Sequence, residues 1–125
     1  MLRPKALEHV GLIVTDMNRS LIFYQRLGFE FVRGPRRPGG ATVLKAGNTE
    51  INAFCNPDST SDSTRQRVDH LCLDMDYATV DELIGALAET GVAIASGPVK
   101  RSDGTALFVH DPDGMRIELL VKHPL

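Results

Sequence analysis

The chain carries one pattern twice, and this repeat most constrains what it can fold into. Residues 7–14 open the first half with alternating apolar side chains and include His9, and residues 68–74 open the second half in the same way and include His70. Each segment precedes a helix-like stretch, a glycine and a late strand that carries a glutamate. Alternation of this kind predicts β-strands. We therefore expect a duplicated module whose matching strands bear residues of the types that bind metal ions.

The first half is predicted to be a strand, a helix and three strands. Asp16 can cap a helix over residues 17–27, and Gly28 ends it. Gly47 and Asn48 are a two-residue hairpin signal. The remaining strands are expected at residues 29–33, 41–46 and 50–55, with a turn at residues 34–40.

The second half repeats this order after a polar linker at residues 56–66. A helix over residues 77–90, ending at Gly91, is predicted from its apolar stripe, which is typical of a core-facing helix. Strands are expected at residues 68–74, 92–95, 106–110 and 115–122, with a tight turn at residues 111–114.

The expected fold class is α+β, with two tandem βαβββ modules in one domain of residues 1–125. The modules cover about residues 5–56 and 67–122. Neither small sheet can bury its faces alone, so we expect one curved, half-barrel-like mixed sheet with a concave inner face and the helices outside. Small sheets also leave edges that need covering, which favours a dimer.

Composition excludes several classes of partner. The 125 residues have a net charge of -2, with 42% hydrophobic and 24% charged residues, which is ordinary for a soluble domain. Nucleic-acid binding is not expected, and no apolar run approaches the length needed to cross a membrane. Two cysteines give no disulfide framework, so a reduced, cytoplasmic protein is expected.

Two short basic clusters lie in loops rich in glycine and proline. They are Arg33, Arg36 and Arg37 in the first half, and Lys100 and Arg101 in the second. A solvated loop is the favoured interpretation of both clusters. The alternative is capture of an anion at the mouth of a site.

Strand alternation assigns the candidate ligands to the concave face. On each strand the apolar residues mark the core face, which leaves the histidine or glutamate on the other side. Imidazoles and carboxylates together suit zinc, nickel, manganese or iron(II) in an open, catalytic type of coordination. The ordinary alternative for each histidine is a hydrogen-bonded residue at the edge of the core. The candidate ligands are His9, His70, Glu50 and Glu118.

Longer motifs resemble the vicinal oxygen chelate superfamily, which includes glyoxalase I, fosfomycin-resistance enzymes, extradiol dioxygenases, methylmalonyl-CoA epimerase and bleomycin-resistance proteins. The resemblance covers essentially the whole chain, and the phrase GPVK at residues 97–100 is particularly like bacterial glyoxalase I. The other motifs are HVGLIVTD at residues 9–16, SLIFY at 20–24, LGF at 27–29, DHL at 69–71 and FVHDPDGMRIEL at 108–119.

The resemblance implies a divalent metal held by His9, His70 and Glu118. In glyoxalase-type members a fourth-strand carboxylate is a further ligand and the catalytic base, and Glu50 is the natural candidate. Asn52 lies on the same strand face and is the alternative. With Asn52 at the metal, the ligands would be a His/His/Glu triad like that of the fosfomycin enzymes. Short members are usually homodimers.

The resemblance also implies departures that bear on the substrate. Ile13 stands where glyoxalase I usually has an arginine for glutathione, and Phe108 stands where the fosfomycin enzymes have a tyrosine. Phe54 and Phe108 are predicted to line a partly apolar pocket together with Asn52 and Ile13.

Three functions therefore stay open. The first is a metal-dependent lyase or isomerase of the glyoxalase type, acting on a small substrate with adjacent oxygens. The second is a thiol transferase of the fosfomycin-resistance type or a dioxygenase. The third is a metal-free binding protein of the bleomycin-resistance type.

Overall fold

The alternating segments of both halves form two open, four-stranded mixed sheets. The structure is a computed structural model that describes residues 1–59 and 68–123. The element order is β1 (Val10–Val14), α1 (Met17–Arg26), β2 (Glu30–Arg33), β3 (Thr42–Ala46), β4 (Thr49–Cys55), β5 (Leu71–Asp74), α2 (Val80–Thr90), β6 (Ser96–Lys100), β7 (Gly104–His110) and β8 (Arg116–Lys122).

The strand orders of the two sheets are the same. They are β1-β4-β3-β2 and β5-β8-β7-β6. In each sheet the first and last strands of the module pair in parallel, and the other neighbours are antiparallel. The chain divides into two compact units, Met1–Thr60 and Ser61–Leu125. The prediction of two tandem βαβββ modules is confirmed.

In the first unit, the core lies on one face of β1 and β4. Leu12, Val14, Ile51 and Ala53 are buried, while the alternate residues of the same strands are more exposed. The helix α1 contributes Tyr24, which is 1% exposed. The predicted cap is present, since the Asp16 carboxylate accepts a hydrogen bond from the backbone N–H of Arg19 at 3.1 Å.

In the second unit, both faces of the last strand are largely covered. Leu83 and Leu87 of α2 are buried, and Gly91 ends this helix in the left-handed conformation, as predicted. On β8, Ile117 and Leu119 face one side, and Leu120 joins Ala106 and Phe108 in a second apolar cluster. This second cluster lies on the face that carries Glu118.

The sequence prediction was wrong about β6. Residues 92–95 contain no strand, and the strand covers Ser96–Lys100 instead, including Gly97 and Pro98. This edge strand tolerates proline because its register with β7 is irregular between Ser96 and Val99. The first strand of each module also begins later than predicted, so that His9 and His70 immediately precede β1 and β5.

The predicted hairpin after β3 is present, and α2 begins at Val80 rather than at residue 77. Gly47 and Asn48 connect β3 and β4, with Ala46 paired to Thr49. The predicted polar linker lies largely in residues 60–67, outside the described residues. In the described part of the chain, neither helix has the length and apolar character needed to cross a membrane.

We predict that Gly104→Ala destabilises the protein while Gly85→Ala does not. A Cβ at Gly104 would lie 2.3 Å from the Val121 carbonyl oxygen, so β7 and β8 would have to separate. Overpacking of this kind typically costs about 1–3 kcal/mol. At the helical Gly85 a Cβ meets nothing within 4 Å, and alanine should stabilise the helix by up to about 1 kcal/mol. Urea unfolding of both variants measures the difference, and equal midpoints would contradict the prediction.

Candidate metal-binding residues

In the first unit, His9 and Glu50 are brought together by the pairing of β1 with β4. Val10 is in register with Ile51, so the residues that precede them lie side by side. Ligand atoms of His9, Glu50 and Glu8 all lie within 4.8 Å of one another, a spacing that one metal ion could bridge. Glu50 also pairs with Lys45 of the neighbouring strand, at 3.5 Å.

In the second unit, His70 stands between two carboxylates. Its Nδ1 lies 2.7 Å from Asp69 Oδ2, and its Nε2 lies 3.0 Å from Glu118 Oε1. The other carboxylate oxygen of Glu118 is 3.4 Å from Arg101 Nε. Glu118 is only 5% exposed, and these cationic or polar partners offset the several kcal/mol that an unpaired buried carboxylate would cost.

Both histidines share a feature that the sequence prediction missed. An acidic residue precedes each one and contacts its Nδ1: Glu8 at 2.9 Å from His9, and Asp69 from His70. A carboxylate at one ring nitrogen orients the imidazole and increases its basicity at the other nitrogen, as outer partners of metal-bound histidines commonly do. The signal was visible in the sequence, because Glu8-His9 and Asp69-His70 are the same type of dipeptide at matching places.

The electrostatics of the second unit set the state of two side chains. The hydrogen bond from His70 is the main reason why the pKa of Asp69 is lowered, with help from the charge of Arg116. Burial, followed by the negative charge of Glu118, raises the pKa of the Cys72 thiol. Cys72 is therefore a neutral thiol at neutral pH, which disfavours it as a nucleophile.

The strand registers distinguish Glu50 from Asn52. In the second unit Glu118 pairs with Cys72, two residues after His70. In the first unit, Gly11 is two residues after His9, and Gly11 pairs with Asn52. Asn52 therefore occupies, in its sheet, the place that Glu118 occupies in the other sheet, so Glu50 and Glu118 do not lie at matching places.

Asn52 has a polar atom that the protein leaves without a partner. Among residues 1–59 and 68–123, its buried Oδ1 accepts no hydrogen bond. Leaving such an acceptor unsatisfied costs about 1–3 kcal/mol. A cation or a ligand donor at this place would remove that cost, so the polar atoms of this face fit the type of group that the sequence predicts.

The predicted pocket residues have different surroundings. Ile13 and Phe54 are exposed, and the Phe54 ring lies beside Gly11, 3.6 Å from where a Cβ would be. Phe108 is buried instead, with the Arg116 guanidinium 4.1 Å from its ring centroid. Phe108 therefore supports the charged groups around Glu118 by cation–π contact.

A family model and solved structures match nearly the whole chain. The model of the Glyoxalase/Bleomycin resistance protein/Dioxygenase superfamily matches residues 6–119. A glyoxalase/dioxygenase from Nostoc punctiforme has a similar structure, with a TM-score of 0.80 and 27% identity, covering 99% of this chain and 97% of that one.

Two curated relatives are similar in sequence. A glyoxalase domain-containing protein, RDO1, from Mycosarcoma maydis is 26% identical over 94% of this chain and 69% of its own length. A lactoylglutathione lyase from Neisseria meningitidis serogroup A is 28% identical over 91% of this chain and 88% of its own length.

We predict that the Asp69 carboxyl titrates below the ordinary range of aspartate, and that His70→Ala moves its midpoint back up. Because the folded-state pKa is lowered, the stabilising contact is present at neutral pH and is lost as the pH falls through that lowered value. Carbon-13 NMR of the side-chain carboxyls measures both midpoints. The same midpoint in the wild type and in His70→Ala would show that the imidazole is not the cause.

Proposed function

Since the chain belongs to the Glyoxalase/Bleomycin resistance protein/Dioxygenase superfamily, we propose that it is a metal-dependent lyase or isomerase of the glyoxalase type. Its substrate is a small molecule with two adjacent oxygens. One observation carries the proposal: each unit places a histidine beside a glutamate, with an acidic residue at the histidine's Nδ1.

The proposed ligands are His9, His70, Glu118 and Glu50, and the metal is zinc, nickel, manganese or iron(II). The donor set fits such an ion, since it combines imidazoles with carboxylates. A bound ion of this kind supplies a Lewis acid that stabilises negative charge on a substrate oxygen.

The chain's own residues supply the proton transfer. Glu50 removes the proton from one carbon of an α-hydroxycarbonyl substrate, such as a hemithioacetal, and returns it to the neighbouring carbon. No atom is gained or lost in this isomerisation. The 3.5 Å contact from Lys45 holds the Glu50 carboxylate in place while it is ionised. Asn52 and Phe54, on the same strand face, contact the substrate.

The register favours a second candidate. Asn52 occupies the place of Glu118, and its Oδ1 has no partner within the described residues. If Asn52 rather than Glu50 faces the metal, the ligands are His9, His70 and Glu118 alone. That triad fits a thiol transferase of the fosfomycin-resistance type, in which no carboxylate base is needed at the fourth strand. A metal-free binder would not use the histidines or Glu118.

Metal binding tests the ligand set. His9→Ala, His70→Ala and Glu118→Gln should each weaken zinc or nickel binding by more than the ~10–100-fold typical of losing an outer partner. Glu8→Gln and Asp69→Asn should fall within that smaller range. Calorimetric titration of metal-stripped protein measures each affinity, and elemental analysis checks the metal content.

The control for these variants is His110→Ala. His110 is an exposed histidine at the end of β7 and is not a proposed ligand. It should keep wild-type affinity. Wild-type metal binding by both His9→Ala and His70→Ala would refute the ligand assignment and leave the metal-free binder as the function.

Catalysis distinguishes the two enzyme candidates. Glu50→Gln should keep its metal and lower kcat for a methylglyoxal hemithioacetal by about 10²–10⁴-fold, the usual contribution of a general base. Lys45→Gln should have a much smaller effect. Assays with methylglyoxal and several thiols, and with fosfomycin and thiols, cover both reactions. Full isomerase activity in Glu50→Gln would remove Glu50 from the base role.

A homodimer in the cytoplasm is the proposed state of the protein. The family resemblance supports the dimer, and the two unlinked cysteines support a reducing compartment.

A further inference from the structure

Three arginines of the β2–β3 segment line a cleft in the first unit. The cleft has a volume of about 400 Å³ and is open on one side to solvent. We call it the arginine cleft. Its lining consists of Arg33, Arg36, Arg37, Gly39, Gly40, Ala41 and Phe54.

The charges of the arginine cleft are unbalanced. Three guanidinium groups line it, and its described lining includes no acidic residue. Within residues 1–59 and 68–123, Arg36 and Arg37 form no ion pair, whereas Arg33 donates one hydrogen bond to the Gly34 carbonyl at 3.2 Å. Each guanidinium has five N–H donors in a planar fork that matches carboxylate and phosphate oxygens. Most of these donors are therefore available to an anion.

The backbone holds the arginines close together. The Gly40 N–H donates to the Arg37 carbonyl at 2.9 Å, which closes a tight turn. A Cβ at Gly40 would lie only 3.0 Å from that carbonyl oxygen, and Gly39 has a φ of 75°. Two prolines, Pro35 and Pro38, restrict the same segment. Restriction of this kind lowers the entropy lost when a ligand is bound.

The register connects the arginine cleft with the candidate catalytic face. Arg33 pairs with Val43 just after an irregularity in the register of β2, and Val43 pairs with Asn52, so Arg33 and Asn52 lie in the same row of paired residues across the sheet. Two strand spacings separate Arg33 from Asn52, which is about 10 Å. Phe54 lines the cleft and lies two residues after Asn52 on that face.

We propose that the arginine cleft binds a terminal oxyanion of the substrate, either a carboxylate or a phosphate monoester. The Phe54 ring contacts the apolar part of the substrate that connects this anion to the reacting oxygens. The identification of the ligand as the substrate rests on the proposed function, while binding of an anion by the arginines does not. The substrate is accordingly a small molecule that carries an acidic group apart from its reacting oxygens.

The test uses phenyl phosphate and 3-phenylpropionate as probes, with benzyl alcohol as the uncharged control. Each is titrated into ¹⁵N-labelled full-length protein that has been freed of metal by passage over a chelating resin, so that neither metal nor a soluble chelator takes part. Shifts should be concentrated at residues 33–41 and 54. The double variant Arg36→Gln/Arg37→Gln should weaken binding of the anions about tenfold or more, because each charge-assisted hydrogen bond is worth at least that factor. The relative strength of the two anions identifies which oxyanion is preferred.

The matched control is Arg19→Gln, which removes an exposed arginine of α1 outside the cleft. It should bind both anions as the wild type does. Added salt should weaken the wild-type interaction, since exposed charges are screened. Benzyl alcohol should bind weakly to all three proteins.

The outcomes separate this proposal from the proposed function. Equal affinity of the wild type and the double variant for both anions, or shifts confined to other residues, would overturn the anion site even if metal binds as proposed. Anion binding at the arginines in a protein that binds no metal at His9 and His70 would support the site and refute the metal-dependent function. Lower kcat/KM for an acidic substrate in the double variant, with kcat and metal content unchanged, would support both.

Discussion

The parallel pairing of the first and last strands of each unit is the constraint on which the rest of the structure depends. Because β1 pairs with β4 and β5 pairs with β8, a residue near the start of the module is placed beside one near its end. In each unit this pairing brings a histidine to a glutamate that is more than 40 residues away along the chain. The apolar residues between them on the opposite face fix the register, because a slip of one residue would expose the whole core face. The candidate chemistry therefore depends on core packing rather than on any contact of its own.

Burying the Glu118 carboxylate costs folding free energy unless the carboxylate has hydrogen-bond or charge partners. Glu118 lies in β8 among apolar neighbours and is almost fully buried. His70 and Arg101 both contact it, and Arg116 packs over the adjacent Phe108 ring. These groups form a network in which each charge has an opposite charge or a π-face nearby, so removing one member leaves another uncompensated. A metal ion held by His70 would replace one interaction in this network.

Periodicity and capping residues in the sequence were sufficient to predict both modules, the cap at Asp16, the helix end at Gly91 and the faces of β1, β4 and β8. These features depend on local patterns: Asp16 and Gly91 act within one helical turn of the ends they cap. The position of β6 could not be predicted, because its pairing with β7 overrides the local preference of Gly97 and Pro98 against strands. The choice between Glu50 and Asn52 could not be made from the sequence either. That choice depends on which residues of β1 and β4 pair with each other, and the sequence separation from each histidine does not reveal this pairing.

The two units have the same strand order and differ in the polar residues on the strand face opposite the helix. In the second unit, Cys72 is two residues after His70 and pairs with Glu118, whose negative charge is compensated by His70 and Arg101. In the first unit the corresponding residue, Gly11, pairs with Asn52, whose Oδ1 has no hydrogen-bond partner among the described residues. The nearby Arg36 and Arg37 form no ion pair within residues 1–59 and 68–123. A buried polar group without a partner calls for an explanation, and a bound ligand is one such explanation. Under the proposed anion site, the first unit presents its unpartnered polar groups to a ligand, whereas the second unit pairs its charged groups with one another.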